Sequence, residues 1–562
     1  MLVILTALFV VALAAPVLFR WTGRQGFYLL AAAPAAGFVW LLTQLPHVFA
    51  LQEALDAGRP VPASAARLDR AVPWVPYLET ELAFRMDVLA AFMSLIVLGV
   101  GALVLAYCAR YFREHEPRNA VFGGQLLAFA GAMFGLVTTD DLMVLYTFWE
   151  ITSVLSFLLI GYSGHRIFAR RSAITALIVT TFGGLAMLAG LIMLAHAAGS
   201  WRISGVLAAA PRLLADDGGR VLLEVAVGLV LIGALTKSAQ APFHFWLPGA
   251  MAAPTPISAY LHAAAMVKAG VFLLLVFSPV LAGHAVWSTL LIACGLITAL
   301  FGAVTALRQH DLKGLLAYST MSQLGLLTAV IGIGTTAALT AAVVHTVAHA
   351  LFKSALFMLI GIVDHEAGTR DLRMLAGRHV RMPVTGTALT LAAVSMAGVP
   401  PLLGFVSKEG LLDAALGTPG PAWAAPVVAV ASAAPAVASS PTGKLAAGPW
   451  YNTWEGAAVP TNGDSGGMVP YIIMGTTDTT GAATTTVYPT SQLKDVVHIL
   501  TDSGSRIVFA EDAELIFDPR QMHVFDPESG ENFTRDDRAA QHVEMDGWKA
   551  TLSFREFQFG ER

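Results

Sequence analysis

Charge is what this chain lacks. Asp, Glu, Lys and Arg make up 13% of its 562 residues, against roughly 25% in soluble domains, and 56% of residues are hydrophobic. That excludes an ordinary water-soluble globule. Cysteine is scarce as well: Cys108 and Cys294 both lie in apolar runs, which excludes a disulfide frame and a thiolate metal cluster. The first apolar stretch, residues 2–19, has no positive start and no convincing cleavage site, so it reads as an uncleaved span and not a signal peptide.

What is present is distributed unevenly. Residues 1–440 hold 25 Lys and Arg against 20 Asp and Glu, whereas residues 441–562 hold 9 against 18. The first part reads as a helical membrane body and the second as an acidic, polar tail. A span needs about 20 apolar residues. By that rule twelve are expected: 2–19, 27–45, 87–107, 121–138, 141–161, 173–197, 221–247, 256–278, 286–307, 314–333, 337–362 and 384–410. Fourteen basic residues follow odd-numbered spans and seven follow even-numbered ones, which puts the N-terminus outside. The segment SWRISGVLAAAPRLLADD is expected to form a short amphipathic helix on the outer face.

Several ionisable residues fall deep inside these spans, where insertion costs about 2.5–3.5 kcal/mol each. Glu150 sits in the fifth span as a buried carboxylate, with Lys237 and Lys268 as its candidate partners. Lys237 ends an apolar run broken by Pro242, Pro248, Pro254 and Pro256, and the next run carries His262 and Lys268. Breakers free backbone carbonyls that lipid cannot satisfy, so a protein-lined wet pathway is expected beside them. Moving a carboxylate toward or away from a desolvated lysine would make it hold or release a proton.

His345, His349 and Lys353 recur every four residues, one stripe of a helix about 12 Å long at 1.5 Å per residue. A histidine pair four apart also suits a metal, but no third ligand or acid lies in that run, so a proton relay is the expectation. Lys408 follows Gly398, Pro400, Pro401 and Gly404, which interrupt the twelfth span as the prolines interrupt the seventh. Two broken, lysine-bearing spans an odd number apart are what inverted repeats leave in a sequence. Lys313 fits either a helix-terminal lysine or a member of the relay.

The runs TKSAQAPFHFWLPGAMAAPTPISAYLHAAAMVKAGV, DLKGLLAYSTMSQLG, HTVAHALFKSALF and PPLLGFVSKE resemble a known family. It is the proton-translocating module shared by Mrp-type cation/proton antiporters and the large membrane subunits of respiratory complex I. The resemblance covers about residues 80–412, in order and without large gaps. AYLHAAAMVKAG and DHEAGTRDLRMLAG lie closer to the A-type branch of the Mrp antiporters. It implies an all-α polytopic bundle of inverted five-helix repeats with broken helices 7 and 12. At matching positions it implies a Glu150–Lys237 pair, an eighth-helix Lys268, buried His262 and His349, a central Lys353 and a terminal Lys408. It implies work within a hetero-oligomeric antiporter complex in the bacterial plasma membrane, exchanging sodium or another monovalent cation for protons. A proton-pumping subunit of a complex I-like oxidoreductase or membrane hydrogenase is the alternative. Neither reading calls for enzymatic chemistry in this chain, a cofactor, a metal or a nucleic acid.

Domain boundaries follow the composition: a membrane module at 1–412, an Ala/Pro-rich linker or poor extra span at 413–445, and a polar tail at 446–562. The tail, α/β or disordered, has a βαβ-like pattern around TTTVYPTSQLKDVVHILTDSGSRIVFAED without a phosphate loop and carries no catalytic expectation.

Overall fold

The computed structural model describes residues 1–57, 68–75, 80–113, 116, 118–164, 166–282, 284–375 and 382–416. It also describes short strands at 471–477, 483–489, 498–501, 506–508 and 522–524. The chain divides into two compact units, Met1–Thr453 and Trp454–Arg562.

The first unit is a helix bundle. It opens with α1 (Leu2–Thr22) and α2 (Gly26–Asp56), then a two-stranded antiparallel hairpin, β1 (Asp69–Val75) and β2 (Thr80–Arg85). Four long helices follow: α3 (Val88–Tyr111), α4 (Asn119–Thr138), α5 (Leu142–Ile160) and α6 (Ile167–Ala198). After the short α7 (Ile203–Ala215) comes α8 (Asp217–Lys237). Two fragments, α9 (Trp246–Gly249) and α10 (Thr255–Ile257), lead into α11 (Met266–Leu281). The long helices α12 (Ala285–Leu307), α13 (Leu312–Ile333) and α14 (Thr336–Ala367) come next, and α15 (Pro383–Ala397) and α16 (Leu403–Leu416) close the unit.

Side-chain oxygens start many of these helices. Asp87, Asp141, Asp216, Asp311 and Thr335 each accept from a backbone N–H of the first turn, satisfying donors that lipid could not. Gly199, Gly334, Gly368 and Gly398 end α6, α13, α14 and α15 at φ between 67° and 86°, the left-handed region glycine enters freely.

Among the described residues, ten apolar helical stretches are long enough to cross a membrane. The first, Leu2–Ala54, contains both α1 and α2, so these stretches account for eleven of the twelve expected spans. The twelfth is split into α15 and α16 at the expected break. The segment after the sixth span folds as expected: α7 buries Ile203, Val206 and Ala210 along one stripe and exposes Arg212. The eighth span departs from expectation. It is not one helix but α10, a π-turn over Ser258–His262, a gap at 263–265, and α11. Three alanines in a row carry no breaker, so composition hides this interruption.

Small residues let the helices close up. Gly295 on α12 and Gly325 on α13 meet backbone to backbone: a Cβ on Gly295 would lie 2.6 Å from the Gly325 carbonyl oxygen, and one on Gly325 2.6 Å from that of Gly295. Lipid tails are as apolar as leucine, so close packing of this kind is what joins spans. On α6, a Cβ at Gly183 would collide with Thr236, and one at Gly184 with Glu150.

The expected 413–445 linker and most of the 446–562 tail lie outside the described residues. In the second unit, β3 (Tyr471–Thr477) pairs antiparallel with β4 (Ala483–Pro489), and β5 (His498–Thr501) lies between β6 (Arg506–Val508) and β7 (Met522–Val524). The helical part of an α/β tail lies outside the described residues.

Replacing Gly295 by leucine should force α12 from α13 and destabilise the bundle by about 1–3 kcal/mol. Gly228, with no heavy atom within 4 Å of a Cβ placed there, should accept alanine without loss. Melting temperatures of the purified protein in detergent distinguish the two.

Candidate functional site

The site begins where α8 stops. Lys237 is its last residue and is fully buried. Its amine donates to the Trp149 carbonyl oxygen at 2.6 Å, Thr152 Oγ1 at 2.6 Å and Ser153 Oγ at 3.0 Å, all on α5. Both hydroxyls donate in turn to the Trp149 carbonyl, which turns their lone pairs toward the amine. Three protons therefore meet three acceptors, and the Trp149 ring lies 4.5 Å from the nitrogen. Neutral acceptors hold this lysine.

Glu150 is the next residue on α5. Its Oε1 is buried against Gly184 without a hydrogen-bond partner. It is near enough to Lys237 for Coulomb interaction, but among the described residues no ion pair joins them. Beyond Lys237 the chain leaves the helix through Ala239, at φ 52°. A left-handed non-glycine residue costs roughly 1–2 kcal/mol, which marks this break as strained.

The freed end of α8 is used again. Its Thr236 carbonyl accepts from Trp246 Nε1 at 2.9 Å, and the Trp246 ring lies 6.1 Å from that of His262. His262 ends the π-turn fully buried, with neither ring nitrogen hydrogen-bonded. The carbonyl of the next residue, Ala263, freed by the gap in the eighth span, accepts from the Lys268 amine.

Lys268 links the broken span to α14. Its nitrogen lies 3.0 Å from His349 Nδ1. His345, one turn earlier on α14, has its ring centroid 6.4 Å from that of His349. Its Nε2 lies 2.7 Å from Gln323 Oε1 and its Nδ1 3.0 Å from Ser407 Oγ, next to Lys408. Lys408 donates to the Ala397 carbonyl, exposed by the end of α15, at 3.1 Å. Lys353, one turn past His349, donates to Ser319 Oγ. His345, His349 and Lys353 are all fully buried, as a stripe facing the bundle interior requires.

The structure thus joins Lys268 to His349 and His345 to Ser407, beside Lys408, with the two imidazole centres 6.4 Å apart on α14. It sets Lys237 and Glu150 on one flank and leaves His262 without polar contact. The partners that sequence reasoning missed are Thr152, Ser153, Ser319, Gln323 and Ser407, which are neutral and common in helices. One signal was available: Ser319, Thr320, Ser322 and Gln323 crowd a span whose residues are almost all buried.

Lys313 has a different setting. It forms part of the wall of a cavity of about 880 Å³, together with Arg113, Arg166 and Arg370 from connections on the basic-loop side and Asp364 from the last turn of α14. Its amine reaches the Ala253 carbonyl at 3.3 Å. Arg370 pairs with Asp311 at 3.2 Å, closing the turn before α13 onto the end of α14. Nearby, hydrogen bonds from Arg373 hold the Asp371 carboxyl below its ordinary value. At the opposite end, the Arg202–Glu81 pair at 2.5 Å raises the Arg202 guanidinium further and ties α7 to the hairpin.

These features define a multi-pass membrane bundle with an internal file of lysines and histidines held by neutral acceptors. The membrane family described as "NADH:quinone oxidoreductase/Mrp antiporter, TM" matches residues 139–433, and the chain belongs to it. The N-terminal domain described for chain 5 of NADH–ubiquinone oxidoreductase (complex I) matches residues 74–122. A relative from Rhizobium meliloti, the A/B component of a probable K⁺/H⁺ antiporter, is 49% identical over 64% of this chain and 35% of its own length. The A component of the Na⁺/H⁺ antiporter of Alkalihalophilus pseudofirmus is 40% identical over 73% of this chain and 50% of its own. The chain therefore spans half or less of the length of these relatives. Among solved structures, one chain of the Mrp complex from Dietzia sp. matches with a TM-score of 0.68 at 42% identity, over 79% of this chain and 46% of that one. A chain of an archaeal membrane-bound sulfane sulfur reductase matches with a TM-score of 0.65 at 25% identity, over 82% and 90%.

The acceptors around Lys237 make a stability prediction. Thr152→Val leaves the buried amine short of a partner and should cost about 1–3 kcal/mol. Lys237→Met removes the buried charge and should leave the melting temperature equal or higher. Thermal unfolding in detergent measures both.

Proposed function

We propose that this chain is a membrane subunit of a larger assembly that exchanges sodium, or another monovalent cation, for protons across the bacterial plasma membrane. Residues 1–412 are the translocating module and 446–562 a separate polar tail. Protons pass through Glu150, Lys237, His262, Lys268, His349, His345, Lys353 and Lys408. The observation that carries the reading is the 3.0 Å contact between the fully buried Lys268 and His349, with His345 one turn further along. Two basic groups in direct contact cannot both be charged cheaply, so one proton is shared or passed between them. The antiporter names of the relatives support the choice of ions.

Neutral acceptors suit this work. A carbonyl or hydroxyl serves an ammonium and an amine alike, so a lysine can give up its proton without leaving a charged partner behind. Glu150 supplies a negative charge beside Lys237. Carrying one positive charge outward against 100 mV costs about 2.3 kcal/mol, which the proton gradient supplies in the amount the coupling ratio sets. The excess of basic residues in alternate connections supports an N-terminus outside, and on that reading the 880 Å³ cavity at Lys313 opens toward the cytoplasm.

A second reading, a proton-pumping subunit of a respiratory membrane complex, is favoured by the archaeal reductase chain, 90% of whose length is covered. Exchange assays separate the two. In inverted vesicles holding the assembled complex, Glu150→Gln and Lys237→Ala should each abolish cation/proton exchange while assembly persists. Normal exchange in either variant removes that residue from the pathway. Proton movement that needs an electron donor, with no exchange in its absence, selects the second reading.

A further inference from the structure

His345 is held at both ends by neutral side chains, and the two ends differ in what they allow. Gln323 Oε1, on α13, lies 2.7 Å from Nε2. An amide oxygen has no proton to give, so Nε2 must carry one whether the ring is neutral or charged. Nδ1 faces Ser407 Oγ, on α16, at 3.0 Å. That hydroxyl lies 3.1 Å from a second acceptor, the Gly404 carbonyl. It has one proton and two places to put it.

We propose that Gln323 and Ser407 are positioning residues: Gln323 confines proton exchange on His345 to Nδ1, and Ser407 signals the charge of the ring to the broken twelfth span. The inference rests on the relay reading above and deepens it. When the ring is neutral, the Nδ1 lone pair accepts from the Ser407 hydroxyl. When a proton arrives on Nδ1, the new N–H donates to Ser407 Oγ, and the hydroxyl turns its own proton to Gly404. The proton comes from the Lys408 ammonium through Ser407, whose hydroxyl gives its own proton to Nδ1 and takes the lysine's in its place; the return runs in reverse, so Ser407 ends each cycle with one proton.

Gly404 is well placed to receive this signal. It lies one turn before Lys408, and a Cβ on it would collide with the Ser395 carbonyl of α15. The carbonyl that changes partner therefore sits at the tight crossing of the two halves of the span. The charged and titratable groups facing His345 are Lys408 on α16, Lys268 on α11 and His349 on its own helix. All are basic, so a proton on His345 is disfavoured while either lysine holds one. Charge moves along the file singly.

The test uses the full chain in its assembled complex, with exchange followed in vesicles across pH. Gln323→Glu keeps the shape and the acceptor but adds a negative charge beside the ring, which should move the pH profile alkaline by about one to three units. Ser407→Ala removes the hydroxyl and should slow exchange at least tenfold without moving the profile. An unshifted profile in Gln323→Glu, with exchange abolished in His345→Ala, overturns the role of Gln323. Wild-type rates in Ser407→Ala overturn that of Ser407. Wild-type exchange in His345→Ala is a different result, since it removes His345 from the relay altogether.

Discussion

The constraint on which this bundle depends is that an amine in the apolar interior must have somewhere to donate. Intact helices rarely offer a free carbonyl, because each is already committed to the N–H four residues on. Broken helices do. Lys268 takes the Ala263 carbonyl left by the gap in the eighth span, and Lys408 takes the Ala397 carbonyl left by the break in the twelfth. Lys237 takes Trp149 and two hydroxyls that fold back onto the same carbonyl. At Lys268 and Lys408 the interruption and the lysine are thus one feature, each satisfying the other away from water. Lys237 and Lys353 instead use oxygens of the unbroken α5 and α13.

Acceptors of this kind also settle how the charge behaves. A carboxylate in contact would hold each lysine as an ion pair, and breaking the pair would strand a charge. Neutral oxygens accept from a lysine in either protonation state. Among the described residues no ion pair involves Lys237, Lys268, Lys353 or Lys408. Salt bridges appear instead at the ends of the bundle, at Arg202–Glu81 and Arg370–Asp311, where they fasten loops. The glycines of α6, α12 and α13 serve the same design by bringing helices close enough for single oxygens to reach across.

Much of this was legible in the residues. The spans followed from apolar length, a property of the local chain. The His345–His349–Lys353 stripe followed from a fixed helical period. The break at Ala263–Ala265 was not legible, because alanine favours helix and the π-turn at Ser258–His262 is held by distant elements: Ser354 of α14 donates to the Ala259 carbonyl, and Tyr260 donates to the Val97 carbonyl of α3. Nor were the roles of Thr152, Ser319, Gln323 and Ser407. Such residues bond to their own helix as readily as to a neighbour, and the choice depends on which amine or imidazole comes opposite.

The sequence by itself determined that this chain lies in a membrane, where its spans run, and which residues carry charge into the apolar interior. Those properties depend on composition and on periods of a few residues. Only the tertiary structure decided that Lys268 meets His349, that His345 lies between Gln323 and Ser407, and that Glu150 stands beside Lys237 without bonding to it. The bonded contacts among them join residues as many as 81 positions apart, and their geometry is set by how closely one helix backbone approaches another.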